Sequence, residues 1–394
     1  MAVNSGYTDG IYGELITKDK MSANYSFLIP SSVVGGTRLF SWGRNSNDHQ
    51  GNLGLGDIVN RSSPVQVGSL LTWNNVACGY HTVATKTDGS LWSWGYNNHG
   101  QLGLGDVTHR SSPVQVGSLL TWNKVACGRY HTVATKTDGS LWTCGYNYLG
   151  NLGLGDITHR SSPVQVGSLL TWNNVAAGVT HTVATQTDGS LWIWGYNNYG
   201  QLGLGDITQR NSPVQVGSLL TWNKIACSYH TVATKTDGSL WSWGRNNYGG
   251  LALGDITHRS SPVQVGSLLT WNNVECGSYQ TVATKTDGSL WTCGYNVQGQ
   301  LGLGDVTHRS SPVQVGSLLT WNNVASGYRH TVATKTDGSL WSCGYNLYGQ
   351  LGLGDRTQRN SPVQVGSLLT WNKVACKDFS TVATTTTPTI WNLI

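Results

Sequence analysis

Seven copies of the segment "SPVQVG" recur along the chain, with prolines at Pro64, Pro113, Pro163, Pro213, Pro262, Pro312 and Pro362. Successive prolines lie 49, 50, 50, 49, 50 and 50 residues apart. A period this even, with no insertion, restricts the chain to a repeat architecture. Each unit is then one small motif that buries its apolar surface only against its neighbours.

The unit starting at Trp122 holds four strand-like pieces: "WNKVAC", "HTVATKT", "SLWTCGYN" and "SPVQV". The "TDGS" between the second and third reads as a hairpin turn. No segment carries a sustained helical period. Charged residues are only 11% of the chain, against about 25% in a typical soluble protein. The β-branched and aromatic residues that replace long helix formers suit strands. Four short antiparallel strands, repeated seven times, predict an all-β fold: a seven-bladed β-propeller of four-stranded antiparallel blades with a short N-terminal arm. Leu141 and Trp142 are adjacent on one strand and point to opposite faces. Blade-on-blade packing hides both. The tryptophans heading each first strand, Trp73 through Trp371, are expected in the same inter-blade layer.

Two segments compete to close the ring. "LFSWG" (Leu39 to Gly43) precedes the first complete unit, and the last unit, "NKVACKDFSTVATT", lacks a fourth strand. The tail "TPTIWNLI" aligns with "DGSLWSWG" and is an eighth third-type strand. The N-terminal strand is expected to take the place. The propeller then spans residues 37–394. Residues 1–36 have no repeat counterpart and are too short for a core of their own. Their large apolar residues, Ile11, Tyr12, Leu15, Ile16, Phe27, Leu28 and Ile29, read as an arm that docks on a larger assembly.

The net charge is +5 with no basic run. Sites such as Arg110, Arg160 and Arg259 are repeat-equivalent, so their charge is spread round a ring, which argues against nucleic acid as a partner. No stretch approaches the ~20 apolar residues of a membrane span. Lys18, Asp19 and Lys20 interrupt any signal-like pattern, so synthesis in the cytoplasm is expected. Cys78, Cys127, Cys227, Cys276 and Cys376 share one repeat position with Ala177 and Ser326. That position asks for small size, not sulfur chemistry. Cys144, Cys293 and Cys343 stand where other copies have Trp94, Trp194 and Trp243.

Catalytic chemistry is not expected. The aspartates of "LGLGD", Asp57 to Asp355, recur in every unit and read as turn braces. Asp106 with His109 falls short of the three or four ligands a zinc ion needs. No helix follows "GQLGLGD" to present N–H groups to a phosphate. His81, His131, His181, His230 and His330 lack nucleophile and acid partners and read as structural. No metal and no cofactor are implied.

The segment "WGYNNHGQLGLGD" resembles the repeat of the regulator of chromosome condensation family, through Trp94, Gly95, Asn97, Gly100, Gln101, Leu102, Gly103, Gly105 and Asp106. Pro113, Val116, His131, Thr132, Asp138 and Gly139 extend the match. The resemblance covers residues 37–394 and implies a seven-bladed propeller. Founding members of the family exchange guanine nucleotide on a small GTPase with a β-wedge inserted in one blade, and this chain has no such insertion. The family's plant ultraviolet photoreceptors use Gly-Trp-Arg-His-Thr segments; the nearest segment here is Gly327, Tyr328, Arg329, His330 and Thr331, with tyrosine for tryptophan. Secreted bacterial members inhibit proteins through one propeller face, a mode that needs no insertion.

The differences between copies are not scattered. Antiparallel strands place the loops after strands one and three on one face, and those after strands two and four on the other. The strand-four loop is "GSLLT" in all seven copies, and the strand-two loop is "KTDGS" in five. The strand-one loops instead read "GYH", "GRYH", "GVTH", "SYH", "GSYQ", "GYRH" and "KDFS". Tyrosine, arginine and asparagine at varied loop sites are the residue types of binding surfaces. The candidate contacts are Tyr80, Arg129, Tyr130, Tyr229, Tyr279, Tyr328, Arg329 and Phe379, ringed by Tyr148, Tyr199, Tyr248 and Tyr348. The expectation is a non-enzymatic recognition propeller that binds a protein or glycan through this face. Its N-terminal arm and Asn/Tyr/Trp-rich repeats look like those of bacteriophage virion decoration or adhesion proteins. The alternatives are a guanine-nucleotide exchange or other regulatory factor for a small GTPase, and a secreted inhibitor or lectin.

Overall fold

The computed structural model describes residues 36–46 and 50–386. The arm, apart from Gly36, and the tail 387–394 lie outside the described residues. Seven four-stranded antiparallel sheets follow one another in chain order. The first complete blade is β3 (Trp73–Cys78), β4 (His81–Lys86), β5 (Leu91–Gly95) and β6 (Arg110–Gln115). The next opens with β7 (Trp122–Cys127). Each fourth strand is the outer edge, which tolerates Pro113 and its equivalents because their missing N–H faces no partner strand.

The ring closes with strands from both ends. One sheet has the order β2-β1-β28-β27, where β1 is Thr37–Gly43, β2 Arg61–Gln66, β27 Trp371–Lys377 and β28 Ser380–Thr386. β1 pairs with β28 over its full length, from Thr37 opposite Thr386 to Gly43 opposite Ser380. The N-terminal strand therefore takes the third position of the last blade.

The core lies between blades. Val83, Leu91 and Val116 of one blade pack on Trp122 and Cys127 of the next. Trp122 also meets Trp142 edge-to-face at 6.2 Å, and Lys136 lays its ammonium 3.6 Å over the Trp142 ring. All eight cysteines are free, and seven of them are buried.

Polar bonds interlock the same seams. The Asn52 carbonyl accepts from Trp94 Nε1 at 2.9 Å and from Thr82 Oγ1 at 2.8 Å, both in the following blade. Where cysteine replaces that tryptophan, Cys144 Sγ reaches the equivalent Gln101 carbonyl at 3.5 Å. The hairpin is a relay: Trp92 Nε1 donates to Ser90 Oγ at 2.8 Å, and Ser90 Oγ donates to Asp88 at 2.6 Å. A Cβ on Gly89 (φ +81°) would lie 2.2 Å from the Leu120 carbonyl oxygen. The invariance of "TDGS" is thus a packing requirement.

One exception shows how tight the seam is. Ala252 occupies the place of Gly103 and Gly203, at φ 64°. A Cβ on Gly203 would stand 2.6 Å from Trp243 Nε1, whereas one on Gly103 would stand 3.2 Å from Cys144 Sγ. Ala252 clusters with Cys293, the blade's cysteine alternative to tryptophan. The methyl is accommodated where the facing side chain is small. Both Gly103→Ala and Gly203→Ala are expected to lose about 1–2 kcal/mol to the left-handed backbone. Gly203→Ala should lose a further ~1–3 kcal/mol to overpacking against Trp243. Urea unfolding of the two variants checks this; equal midpoints would contradict the steric account.

Candidate functional site

Backbone bonds sort the connectors onto two faces. The Tyr146 N–H donates to the Tyr130 carbonyl at 2.9 Å, and the Arg44 N–H to the Phe379 carbonyl at 2.9 Å. The same bond ties the loops after strands one and three in every blade. At the other end, Trp122 N–H donates to the Gly89 carbonyl at 3.0 Å, joining "GSLLT" to "TDGS". Tyr130 and Asn147 therefore share one end of the channel.

On that face the variable side chains form an aromatic–arginine arc. Arg245 lies over the rings of Tyr199 at 4.8 Å, Tyr279 at 5.1 Å and Tyr229 at 5.3 Å. Tyr229 and Tyr279 stack with centroids 5.0 Å apart and planes 9° from parallel. Tyr248 meets Tyr279 at 5.3 Å, and Tyr279 meets Tyr328 at 6.4 Å. Tyr328 and Tyr348 each reach Phe379 at 5.3 Å, and Arg44 caps Tyr348 at 4.8 Å. Arg329 covers Tyr328 at 4.9 Å. A second group joins Tyr80 to Tyr130 at 5.2 Å beneath Arg129. It continues through His99 to Tyr146.

Two candidates stand apart. Tyr148 is 63% exposed and makes no ring contact among the described residues. In the repeat it aligns with Asn98 and Asn198, while Leu149 holds the place of Tyr199, Tyr248 and Tyr348. Tyr80 is 7% exposed and packs under Arg129, so it supports the surface more than it presents it. Conversely, sequence reasoning missed Arg44, Arg245, Tyr96, Tyr146 and Tyr295. Their signal was the alternation of arginine and tyrosine just after the strand-three glycine. The loop Gly178–Val179–Thr180 contributes no aromatic ring and separates the two groups. Near-identical repeats therefore build an asymmetric face.

Electrostatics fix the character of this surface. Burial pushes the hydroxyls of Tyr130 and Tyr279 up to about 12, so both are neutral donors at pH 7. Burial opposes the charge on Arg129, but Asp378 and the Tyr80 hydroxyl outweigh it and raise its pKa. Four arginines, each resting on a tyrosine, give a cationic and aromatic face.

The remaining polar motifs are scaffold. Asn97 Oδ1 accepts from Leu102 N–H at 2.9 Å, and its Nδ2 donates to the Asp106 carbonyl at 3.1 Å. Asp106 pairs with Arg110 at 2.6 Å. His109 Nδ1 accepts from Asn97 N–H at 2.9 Å. Among the described residues, no group of three or more His, Cys, Asp or Glu side chains is placed to hold a metal. The strand-two histidines bridge blades. His330 Nε2 lies 3.0 Å from Thr381 Oγ1, which donates to the Gln350 carbonyl at 2.9 Å. That donation assigns the proton to His330 Nε2. Gln280 replaces histidine in one blade and donates to the Gly327 carbonyl at 3.0 Å.

The chain is thus a seven-bladed repeat propeller with one variable, arginine-bearing face. The chain belongs to the regulator of chromosome condensation (RCC1) repeat family, whose model matches residues 38–85, 88–135, 138–185, 188–234, 237–284, 287–334 and 337–384. Among solved structures it is similar to human WBSCR16, at 22% identity and TM-score 0.79, covering 89% of this chain and 98% of that one. It is similar to Prp20p of Saccharomyces cerevisiae, described with its binding to Gsp1p and histones, at 21% identity and TM-score 0.78, covering 91% and 93%. Yeast RCC1 (Prp20) bound to Kap60 matches at 19% identity and TM-score 0.79, covering 96% and 97%. At these identities the likeness is one of fold.

The histidine seams predict acid sensitivity. Burial lowers His230 to about 4 and His330 to about 3, from 6.5. A depressed histidine pKa means the unfolded chain binds the extra proton first. Stability is then full above pH 6.5 and falls as pH drops toward 4, by about 1.4 kcal/mol per pH unit for each histidine. Replacing both by the glutamine that Gln280 shows to be compatible (H230Q/H330Q) should flatten urea midpoints across that window. An unchanged slope would assign the acid loss to other groups.

Proposed function

We propose that this chain is a non-catalytic, protein-binding regulatory propeller that docks a folded partner through its variable face. The observation that carries the reading is the continuous arc from Tyr199 to Arg44. There, Tyr199, Tyr229, Tyr279, Tyr328, Tyr348 and Phe379 are each within reach of an arginine. Aromatic residues and arginine supply most of the energy in protein interfaces, at well-packed sites that exclude water. The cationic surface favours a partner with an acidic face.

Action on a small GTPase is the preferred form of this reading. The yeast propellers of the same family are described with protein partners, Gsp1p, histones and Kap60. None of these comparisons speaks for a glycan or a virion, so the decorating role loses ground to the regulatory one. Without an inserted wedge, contact with the GTPase falls to the arc itself. Residues 1–36 serve in this reading as a tether to a larger assembly.

The opposite face is the natural control, because each "GSLLT" exposes a leucine pair, such as Leu119 and Leu120, about half to solvent. Binding to a panel of small GTPases, with release of a fluorescent guanine nucleotide, tests the proposal. Arg245→Ala with Tyr279→Ala should weaken binding at least about thirtyfold, or ~2 kcal/mol. Leu120→Ser should leave it unchanged. Retained binding in the arc variant, or loss in the leucine variant, moves the interface to the other face. Binding without faster release leaves docking intact and removes exchange.

A further inference from the structure

The first strand of every blade lines the central channel, and its third residue stands near the "GSLLT" mouth. Round the ring these residues are Asn75, Lys124, Asn174, Lys224, Asn273, Asn323 and Lys373. Five of them, all but Lys224 and Asn273, donate to the next blade among the described residues. Asn75 Nδ2 donates to the Asn123 carbonyl at 2.9 Å. Lys124 Nζ donates to Asn174 Oδ1 at 2.5 Å and to Asn173 Oδ1 at 3.2 Å. Asn323 Nδ2 donates to the Asn372 carbonyl at 2.9 Å. Lys373 Nζ donates to Asn75 Oδ1 at 2.8 Å and to the Asn74 carbonyl at 3.0 Å, which carries the girdle from the last blade to the first.

The three lysines are spread round this mouth, in the second, fourth and seventh blades, and among the described residues none is matched by a carboxylate. The hydrogen bonds of Lys124 and Lys373 end on neutral amide oxygens. Lys224 is exposed, and its ammonium makes no hydrogen bond or ion pair among the described residues. Lys124 and Lys224 sit two blades apart, yet the Lys224 charge adds to burial in lowering the Lys124 pKa. Both stand at the same register position on channel-lining strands, so their like charges face one mouth. Beyond them the channel opens into a cavity of about 210 Å³ walled by valine, alanine and cysteine. Its wall holds one carboxylate, Glu275, where the other blades have alanine.

We propose that the "GSLLT"-side mouth of the channel binds a small polyvalent anion of the phosphate or carboxylate class, held by Lys124, Lys224 and Lys373. One ligand with three or more charged oxygens answers all three ammonium groups at once. The surrounding asparagines add Nδ2 donors. Lysine suits this role because a mobile point charge adapts to oxygens that approach along the channel axis. The site lies at the far end of the channel from the aromatic arc and stands independently of the protein-binding reading.

Isothermal titration of the full chain with tripolyphosphate, and separately with citrate, tests the proposal and distinguishes the two chemistries. The wild type should bind one anion per chain. The variant K124N/K224N/K373N carries only residues that other blades already use at this position, so its fold is not at stake. It should lose at least about tenfold in affinity. Glu275→Ala removes the opposing carboxylate and should tighten binding. Failure of the wild type to bind either anion, or unchanged affinity in the triple variant, overturns the site. So does weaker binding in Glu275→Ala.

Discussion

No blade of this protein can bury both of its own faces, and everything else follows from how it borrows its neighbour's. The seam is held in two ways at once. Large rings and branched side chains fill the layer between sheets. A single loop carbonyl, such as Asn52 O, takes hydrogen bonds from two side chains of the next blade. Buried polar atoms are costly unless paired, so the carbonyl and its two donors must stay in register. This is why a chain poor in charge can hold a ring together with tryptophan, threonine, histidine and glycine.

The same seam limits what can change. The glycine facing a tryptophan cannot gain a methyl, but Ala252 faces Cys293 and can. The tryptophan-to-cysteine exchange keeps a donor on the same carbonyl. Substitutions in this layer are therefore coupled across blades. Loop-tip side chains on the variable face have no such obligation. The "TDGS" hairpin is constant because Asp88, Ser90 and Trp92 form one relay under a glycine with no room for a Cβ. Its constancy says little about whether that face meets a partner.

This explains which parts of the molecule were readable in advance. Period, strand count and hairpin are local or periodic signals legible in the residues, whereas two segments competed to close the ring and the pairing of β1 with β28 decides between them. The sorting of loops onto two faces followed from chain direction alone. The arc was half legible. Tyr229, Tyr279, Tyr328 and Phe379 stood out because the loops holding them varied. Arg44 and Arg245 hid inside a position that looked like part of the repeat, and only the fold places Arg245 over three tyrosines, one from its own blade and one from each neighbour. Tyr148 stands one place before the arc position in "NYLGN", an offset that the aligned repeats already show. Depth is not legible in the sequence, and Tyr80, in a loop that varies like the others, lies beneath Arg129.

The family match adds a reason for the asymmetry. Each matched repeat begins in the third strand of one blade and ends in the second strand of the next, as with 88–135. Seven sequence repeats thus tile the ring out of phase with seven blades, and every repeat carries one complete seam within itself. Duplicating such a unit copies the interlock intact. Tip residues at both ends of the channel are then free to diverge without disturbing it. The variable face uses that freedom to alternate tyrosine with arginine. The opposite mouth uses it to alternate asparagine with lysine. In both places the altered side chain stands outside its own blade's core, as with Arg129 over Tyr80 and Lys124 on Asn174, so chemistry changes while the ring does not.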